Sequence, residues 1–120
     1  MAKDKYHHTV VEALESDGWT ITDDPLYLDI FTTTLEVDLG AERLIAATKG
    51  KEKIAIEIKS FIGVSRISDF YKALGQFNYY LTIMEDDEPD RTLFLAIPET
   101  AYNDLMKEPT KSKNYQSFQP

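Results

Sequence analysis

Three residues near the middle of the chain, Asp38, Glu57 and Lys59, carry the side chains that metal-dependent phosphodiester hydrolysis uses. Carboxylates suit a hard divalent cation such as Mg²⁺ or Mn²⁺, and Mg²⁺ usually keeps several waters beside one or two carboxylates. A nearby lysine can orient a metal-bound water or stabilise charge on a phosphate. The tripeptide Glu-Ile-Lys is a weak signal by itself, because alternating charged residues are common on the open face of a strand.

Residue alternation predicts how these side chains are positioned. Residues 53–59, K-I-A-I-E-I-K, alternate polar and apolar types, which is typical of a β-strand with one buried face. Residues two apart leave a strand on the same side, so Glu57 and Lys59 should project together. Asp38 follows a second β-like run, T-T-L-E-V. If the two strands are neighbours, the two carboxylates and the ammonium meet at one edge of a sheet.

An acidic residue after a strand, then a hairpin, then apolar-Glu-x-Lys resembles the PD-(D/E)XK nuclease superfamily. The resemblance implies a restriction-endonuclease-like fold, which is an α/β domain with a mixed sheet flanked by helices. Val37 stands before Asp38, where many members have proline. Gln76 and Tyr80 match the Q-x-x-x-Y pattern that some members carry on the helix after the core.

The chain also resembles a particular family, XisH, the fdxN element excision controlling factor. The resemblance runs in order from residue 3 to about residue 102. It is carried by K-D-K-Y-H at 3–7, D-G-W-T-I-T-D-D-P-L at 17–26, D-L-G-A-E-R-L-I-A-A at 38–47, I-A-I-E-I-K-S-F at 54–61 and I-S-D-F-Y-K-A-L-G-Q-F at 67–77.

These resemblances imply roles for the motif residues. Asp38 and Glu57, with the backbone carbonyl of Ile58, would bind Mg²⁺ or Mn²⁺, and Lys59 would position the attacking water. DNA is the implied substrate. The implied partners are a XisI-like companion factor and a site-specific recombinase, and a homodimer is compatible with the resemblance.

Four further residues are candidates for supporting roles. Gln76 and Tyr80 share one face of a predicted helix and would contact substrate or orient the site, although a flank packed on the sheet rim explains them equally well. His7 lies where some resolvases carry a helix-one glutamate, but a surface histidine is the simpler interpretation. Glu36 shares a strand face with Asp38 as a spare carboxylate, and a solvated side chain is again simpler.

Composition limits the class of protein. The 120 residues are 42% hydrophobic and 28% charged, which is the balance of one globular domain. There is no cysteine, so disulfides and thiolate metal sites are excluded. No apolar run is long enough for a transmembrane helix, and the N-terminus is too polar for a signal peptide, so we expect no membrane association and a cytoplasmic location.

The charge is distributed unevenly. The net charge of −8 argues against broad, non-specific binding to nucleic acid. Residues 43–72 hold seven basic and three acidic residues and so carry +4. This basic segment contains Glu57 and Lys59, although a solvated hairpin explains its lysines as well.

Apolar spacing and turn residues predict the order of elements. Helices are predicted over 4–17, from Ser65 or Ser68 to about 84, and over 99–107, and the second of them has an apolar stripe. Strands are predicted over 19–22, 43–48, 53–61 and 91–97, and the last of them should be buried. Residues 26–37 should form strands or an extended connection. Turns are predicted at 49–52 and an acidic loop at 85–90. We expect a single domain over 1–106 and a poorly ordered or loosely docked tail over 107–120.

Alternatives to a nuclease remain at this point. The tail lacks the further apolar strand that the XisH resemblance implies, which indicates a shortened variant or a strand taken from a partner. The acidity favours a non-catalytic scaffold or binding protein that retained the fold. A plain α/β interaction domain with a coincidental motif is a third alternative, and a structure with the Asp38 and Glu57 carboxylates far apart would support it.

Overall fold

The computed structural model describes residues 5–30, 33–46, 50–60 and 66–107. Three helices and six strands occur in these ranges. In chain order they are α1 (His7–Ser16), β1 (Thr20–Asp23), β2 (Leu26–Ile30), β3 (Thr33–Val37), β4 (Leu39–Ala46), β5 (Gly50–Ile58), α2 (Arg66–Asp87), β6 (Arg91–Ala96) and α3 (Glu99–Lys107).

The main sheet has four strands in the order β1-β4-β5-β6. β4 is antiparallel to β1 and β5, whereas β6 is parallel to β5, so the sheet is mixed. Helix α2 makes the crossover that two parallel neighbours require. β2 and β3 form a separate antiparallel hairpin. The predicted α/β fold with a mixed sheet and flanking helices is confirmed, and it is consistent with an endonuclease-like core.

Strand β5 separates two hydrophobic clusters. Ile54, Ile56 and Ile58 pack with Trp19 and with apolar residues of α1 on one side of the sheet. Ala55 faces the other side and packs with residues of α2 and of the β2–β3 hairpin. Because side chains alternate along a strand, Glu57 projects to the same side as Ala55. The candidate carboxylate therefore lies beneath α2 and the hairpin.

Two glycines have conformational or steric roles in this arrangement. Gly18 has φ +88°, a left-handed conformation that stops α1 where the sequence predicted its end. Gly40 leaves space for two side chains, since a Cβ there would lie 2.9 Å from Asp23 Oδ2 and 3.1 Å from Arg91 Nη1. Arg91 uses that space to donate to the Ile54 carbonyl over 2.9 Å. Gly40 thus leaves room for the Arg91 guanidinium, which extends from β6 past β5 towards β4.

Helix α2 differs from its prediction in length and in its buried face. It continues to Asp87, so the first half of the predicted acidic loop over 85–90 is helical. Ile67 and Leu81 of the predicted apolar stripe are largely exposed. The buried residues are Ala73, Phe77, Tyr80 and Met84. The buried face of α2 is thus rotated around the helix axis relative to the predicted stripe. The reason is that the sheet, the hairpin and α3 cover α2 from one side only, which the sequence of α2 does not reveal.

The strands also differ at their ends. β5 begins at Gly50, within the predicted turn, and ends at Ile58 rather than at 61. The predicted buried strand over 91–97 is buried on one side only, and Phe94 is exposed on the other. Among the described ranges β6 pairs only with β5, so it is an edge strand. α3 has the predicted bounds, and the predicted tail lies almost wholly outside the described residues.

In the described part of the chain, no helix combines the length and apolar character needed to cross a membrane.

Candidate metal-dependent active site

The pairing of β4 with β5 brings Asp38 and Glu57 together. Leu39 lies opposite Ile56 in the antiparallel register. One step further along both strands places Asp38 opposite Glu57. The structure therefore joins two carboxylates that are nineteen residues apart in sequence, as the strand pattern predicted.

Backbone hydrogen bonds hold both carboxylates in place. The Asp38 N–H donates to Glu57 Oε1 over 3.3 Å. The Ile58 N–H donates to Asp38 Oδ2 over 2.7 Å. One oxygen of each side chain is thus bound by the other strand, which orients the two second oxygens. Sequence reasoning identified the carboxylates but missed these backbone donors, which only the strand register reveals.

Lys59 completes the cluster just beyond the end of β5. Its Nζ lies 3.4 Å from Glu57 Oε2, and the side chain remains partly exposed. Its backbone N–H donates to the Ala96 carbonyl of β6 over 3.0 Å. The backbone of Lys59 is therefore held by the parallel strand, while its side chain remains partly exposed to solvent.

Glu57 has unusual electrostatics for a carboxylate. It is only 6% exposed, although the sequence pattern suggested a solvated face. Burial raises the pKa of Glu57 from an ordinary 4.5 to about 7, and the negative charge of Asp38 adds to the effect. The Lys59 charge and the hydrogen bond from the Asp38 N–H oppose the rise in pKa. A cation between the two carboxylates would remove the charge repulsion that opposes their joint ionisation.

Helix α2 contributes Tyr80, with Gln76 bonded to it, to the surroundings of this cluster. Tyr80 is buried, and its hydroxyl accepts a hydrogen bond from Gln76 Nε2 over 3.0 Å. Burial raises the pKa of Tyr80, and the charge of Glu57 is the second cause, with a smaller effect from Asp38. The structure thus brings the Tyr80 hydroxyl into the electrostatic field of both carboxylates.

The two accessory candidates, Glu36 and His7, differ in their exposure to solvent. Glu36 is exposed on β3, opposite Tyr27, and its charge is one of the minor causes that raise the pKa of Tyr80. His7 is buried, so the simpler prediction of a surface histidine is wrong. Its Nε2 lies 2.9 Å from Asp24 Oδ1, although neither ring nitrogen has a well-aligned hydrogen bond within the described ranges. α1 packs on the side of the sheet opposite Glu57.

The donor set fits a magnesium-type site with few protein ligands. Asp38 Oδ1 and Glu57 Oε2 are the oxygens that the backbone donors leave available. In the part of the chain that the structure describes, no three His, Cys, Asp or Glu side chains converge as metal ligands. Two carboxylates, a backbone carbonyl and water match the chemistry of Mg²⁺ better than that of a metal needing an all-protein cage.

Comparison with protein families shows the family to which this chain belongs. A model of the XisH protein family matches residues 1–119. The chain belongs to the XisH family. The family match spans the carboxylate pair, Lys59 and all of α2.

Two solved structures are similar to this XisH-family chain. One is the crystal structure of an XisH family protein from Nostoc punctiforme PCC 73102, with 43% identity, a TM-score of 0.75, and coverage of 87% of this chain and 77% of that chain. The other is an fdxN element excision controlling factor protein from Anabaena variabilis, with 43% identity, a TM-score of 0.75, and coverage of 88% and 77%. Comparison with curated proteins gave no match.

Proposed function

We propose that this XisH-family protein hydrolyses DNA phosphodiesters at Asp38, Glu57 and Lys59, as part of the excision of a DNA element. The observation that carries the proposal is the backbone-linked carboxylate pair with the Lys59 ammonium 3.4 Å from Glu57. Two carboxylates that repel each other, one of them buried, destabilise the folded state unless a ligand uses them, so their convergence beside a lysine favours a functional site.

Asp38 and Glu57 would hold Mg²⁺ or Mn²⁺, with the Ile58 carbonyl as a further ligand. When bound, the ion supplies an activated water and neutralises charge on the phosphate. Lys59 orients the attacking water or stabilises the phosphate through its ammonium. Gln76 and Tyr80 contact substrate or keep the site oriented through the hydrogen bond between them.

The role in excision is supported by the Anabaena variabilis relative, whose name is fdxN element excision controlling factor. An excision reaction requires DNA strands to be cut and exchanged. We therefore propose DNA as the substrate and, from the XisH resemblance, a XisI-like companion factor and a site-specific recombinase as partners.

The direct test compares wild type with Asp38→Asn on intact duplex, nicked and branched DNA in Mg²⁺ and in Mn²⁺. Asparagine can still accept the Ile58 N–H, so the fold should survive while a negatively charged ligand is lost. Cleavage by wild type that Asp38→Asn abolishes supports hydrolysis. Absence of wild-type cleavage on every substrate and metal, or equal cleavage by both proteins, contradicts it.

A non-catalytic recombination scaffold is the second candidate function. One observation favours it: the net charge of −8, which repels DNA. In this case the site residues would stabilise the fold or a protein contact, and excision in cells would not depend on Lys59.

A further inference from the structure

Helix α2 presents three side chains that are exposed or half-buried, which we call the α2 shoulder: Lys72, Gln76 and Tyr79. Gln76 belongs to the site side of α2, since its Nε2 donates to the Tyr80 hydroxyl. At about 100° per residue, Lys72 lies about 40° and Tyr79 about 60° from Gln76 around the helix axis. The three side chains therefore line one flank of α2, and Gln76 connects this flank to Tyr80.

The shoulder is available to a ligand. Tyr79 is 50% exposed, and no hydrogen bond or ion pair involves it within the described ranges. Lys72 is also exposed and has no carboxylate partner there. By contrast, Lys51, Lys59 and Arg43 each lie within ion-pair distance of a carboxylate. An unpaired ammonium and a free aromatic ring thus lie on the same flank of α2 as Gln76.

The charges on α2 set the direction of approach. Its C-terminal turns carry Glu85, Asp86 and Asp87, which repel a phosphate chain. The N-terminal half carries Lys72, although Asp69, three residues earlier, offsets part of that charge. Phosphate attraction is therefore modest on this flank, and stacking on Tyr79 must supply most of the affinity.

We propose that the α2 shoulder binds an unpaired nucleotide of the DNA, with its base stacked on Tyr79 and an adjacent phosphate near Lys72. Aromatic side chains next to a basic group are the usual means of binding single strands, because every base offers a π-face. In an intact duplex the bases stack on each other and cannot reach a helix-borne ring. The substrate class is then DNA with unpaired residues at the cut site, such as an overhang or a branch. This inference rests on the proposed function.

The test is the affinity for a fluorescein-labelled duplex with a single-stranded overhang, compared with the same duplex with blunt ends. Ca²⁺ replaces Mg²⁺ to occupy oxygen ligands while hydrolysis is held back. Tyr79→Ala should weaken binding to the overhang DNA by roughly 5- to 150-fold, since stacking of one base has about that effect. Tyr79→Phe should retain binding, because the ring remains.

Tyr71→Ala is the matched control. Tyr71 is a 65% exposed tyrosine on the same helix, but it lies about 140° from Gln76 around the axis. It should leave affinity for both DNAs unchanged. Equal losses for Tyr71→Ala and Tyr79→Ala, or no loss for Tyr79→Ala, would overturn the shoulder as a base-binding site.

The same preparations separate this inference from the proposed function. If wild type cuts blunt duplex in Mg²⁺ as fast as overhang DNA and Tyr79→Ala cuts normally, hydrolysis stands and the shoulder proposal falls. If wild type prefers the overhang in a Tyr79-dependent manner yet cuts nothing in Mg²⁺ or Mn²⁺, the shoulder proposal stands and hydrolysis falls.

Discussion

The Asp38 backbone N–H donates to Glu57 Oε1 over 3.3 Å, so one member of the carboxylate pair orients the other. The reciprocal link runs from the Ile58 N–H to Asp38 Oδ2 over 2.7 Å. Reciprocal bonds between two strand ends leave the side chains little rotational freedom. The pair is therefore arranged before any ligand arrives, which lowers the entropic cost of binding one.

Lys59→Ala should separate catalysis from scaffolding. Lys59 is partly exposed and is not an expected metal ligand, so we expect the fold and metal affinity to be largely retained. The DNA cleavage rate should fall roughly 10²- to 10³-fold, as expected for the loss of one preorganised electrostatic group. Single-turnover cleavage with matched protein concentrations measures the effect.

The control for this variant is Lys53→Ala, on the same strand but at the opposite end of the sheet register from the site. It should cut at the wild-type rate. Excision frequency in cells gives the second measurement, with protein levels matched. Wild-type excision by Lys59→Ala would refute the nuclease and leave the scaffold standing.

Mg²⁺ or Mn²⁺ should raise the thermal stability of wild type. A ligand that binds only the folded state stabilises it by about 2.7 kcal/mol at a concentration one hundred times its Kd. Glu57→Gln should lose most of this shift, whereas Glu36→Gln, which changes an exposed carboxylate on β3, should keep it. Metal titrations followed by differential scanning calorimetry provide the comparison. Identical responses from wild type and Glu57→Gln would exclude a metal site at Glu57.

The stability of the metal-free protein should fall as Glu57 ionises. Its pKa is about 7 in the folded state against an ordinary 4.5, so the folded state binds more protons between these values. The free energy of unfolding then decreases as pH rises through this window, and the whole of this decrease remains above pH 7. At about 1.4 kcal/mol per pH unit, this decrease is on the order of 3 kcal/mol.

Glu57→Gln removes that titration while keeping the shape of the side chain. Relative to wild type, the metal-free variant should gain stability as pH rises from 4.5 to above 7, and urea unfolding at several pH values measures the difference. Parallel pH profiles for the two proteins would show that Glu57 ionises without a raised pKa.

Tyr80→Phe and Tyr80→Ala should have different consequences. Tyr80 packs in the cluster that contains Phe77 and Met84, so Tyr80→Ala should lower the free energy of unfolding by about 3–5 kcal/mol. Tyr80→Phe keeps the ring and loses the bond from Gln76, which should cost about 0.5–1.5 kcal/mol. If the hydroxyl acts in the site, Tyr80→Phe should also slow cleavage by roughly tenfold. Unchanged cleavage would limit Tyr80 to packing.

Local sequence determined the elements that carry the site. The period of two over residues 53–59 is a property of one strand, so it correctly predicted that Glu57 and Lys59 project to the same side. Gly18 ended the first helix as predicted because a left-handed residue acts only on its neighbours. The Q-x-x-x-Y spacing likewise placed Gln76 and Tyr80 in contact, since residues four apart are neighbours on any helix.

The environment of those residues was decided by tertiary structure. Glu57 is buried, and its pKa is raised, because α2 and the β2–β3 hairpin cover a strand face that its own sequence leaves polar. His7 is buried against Asp24, a partner that no helical period indicates. Pairing register and burial depend on segments far apart in the chain, so a local pattern does not contain them. The sequence therefore indicated which side chains meet at the candidate site, and the packing of distant elements determined the burial and the raised pKa of Glu57.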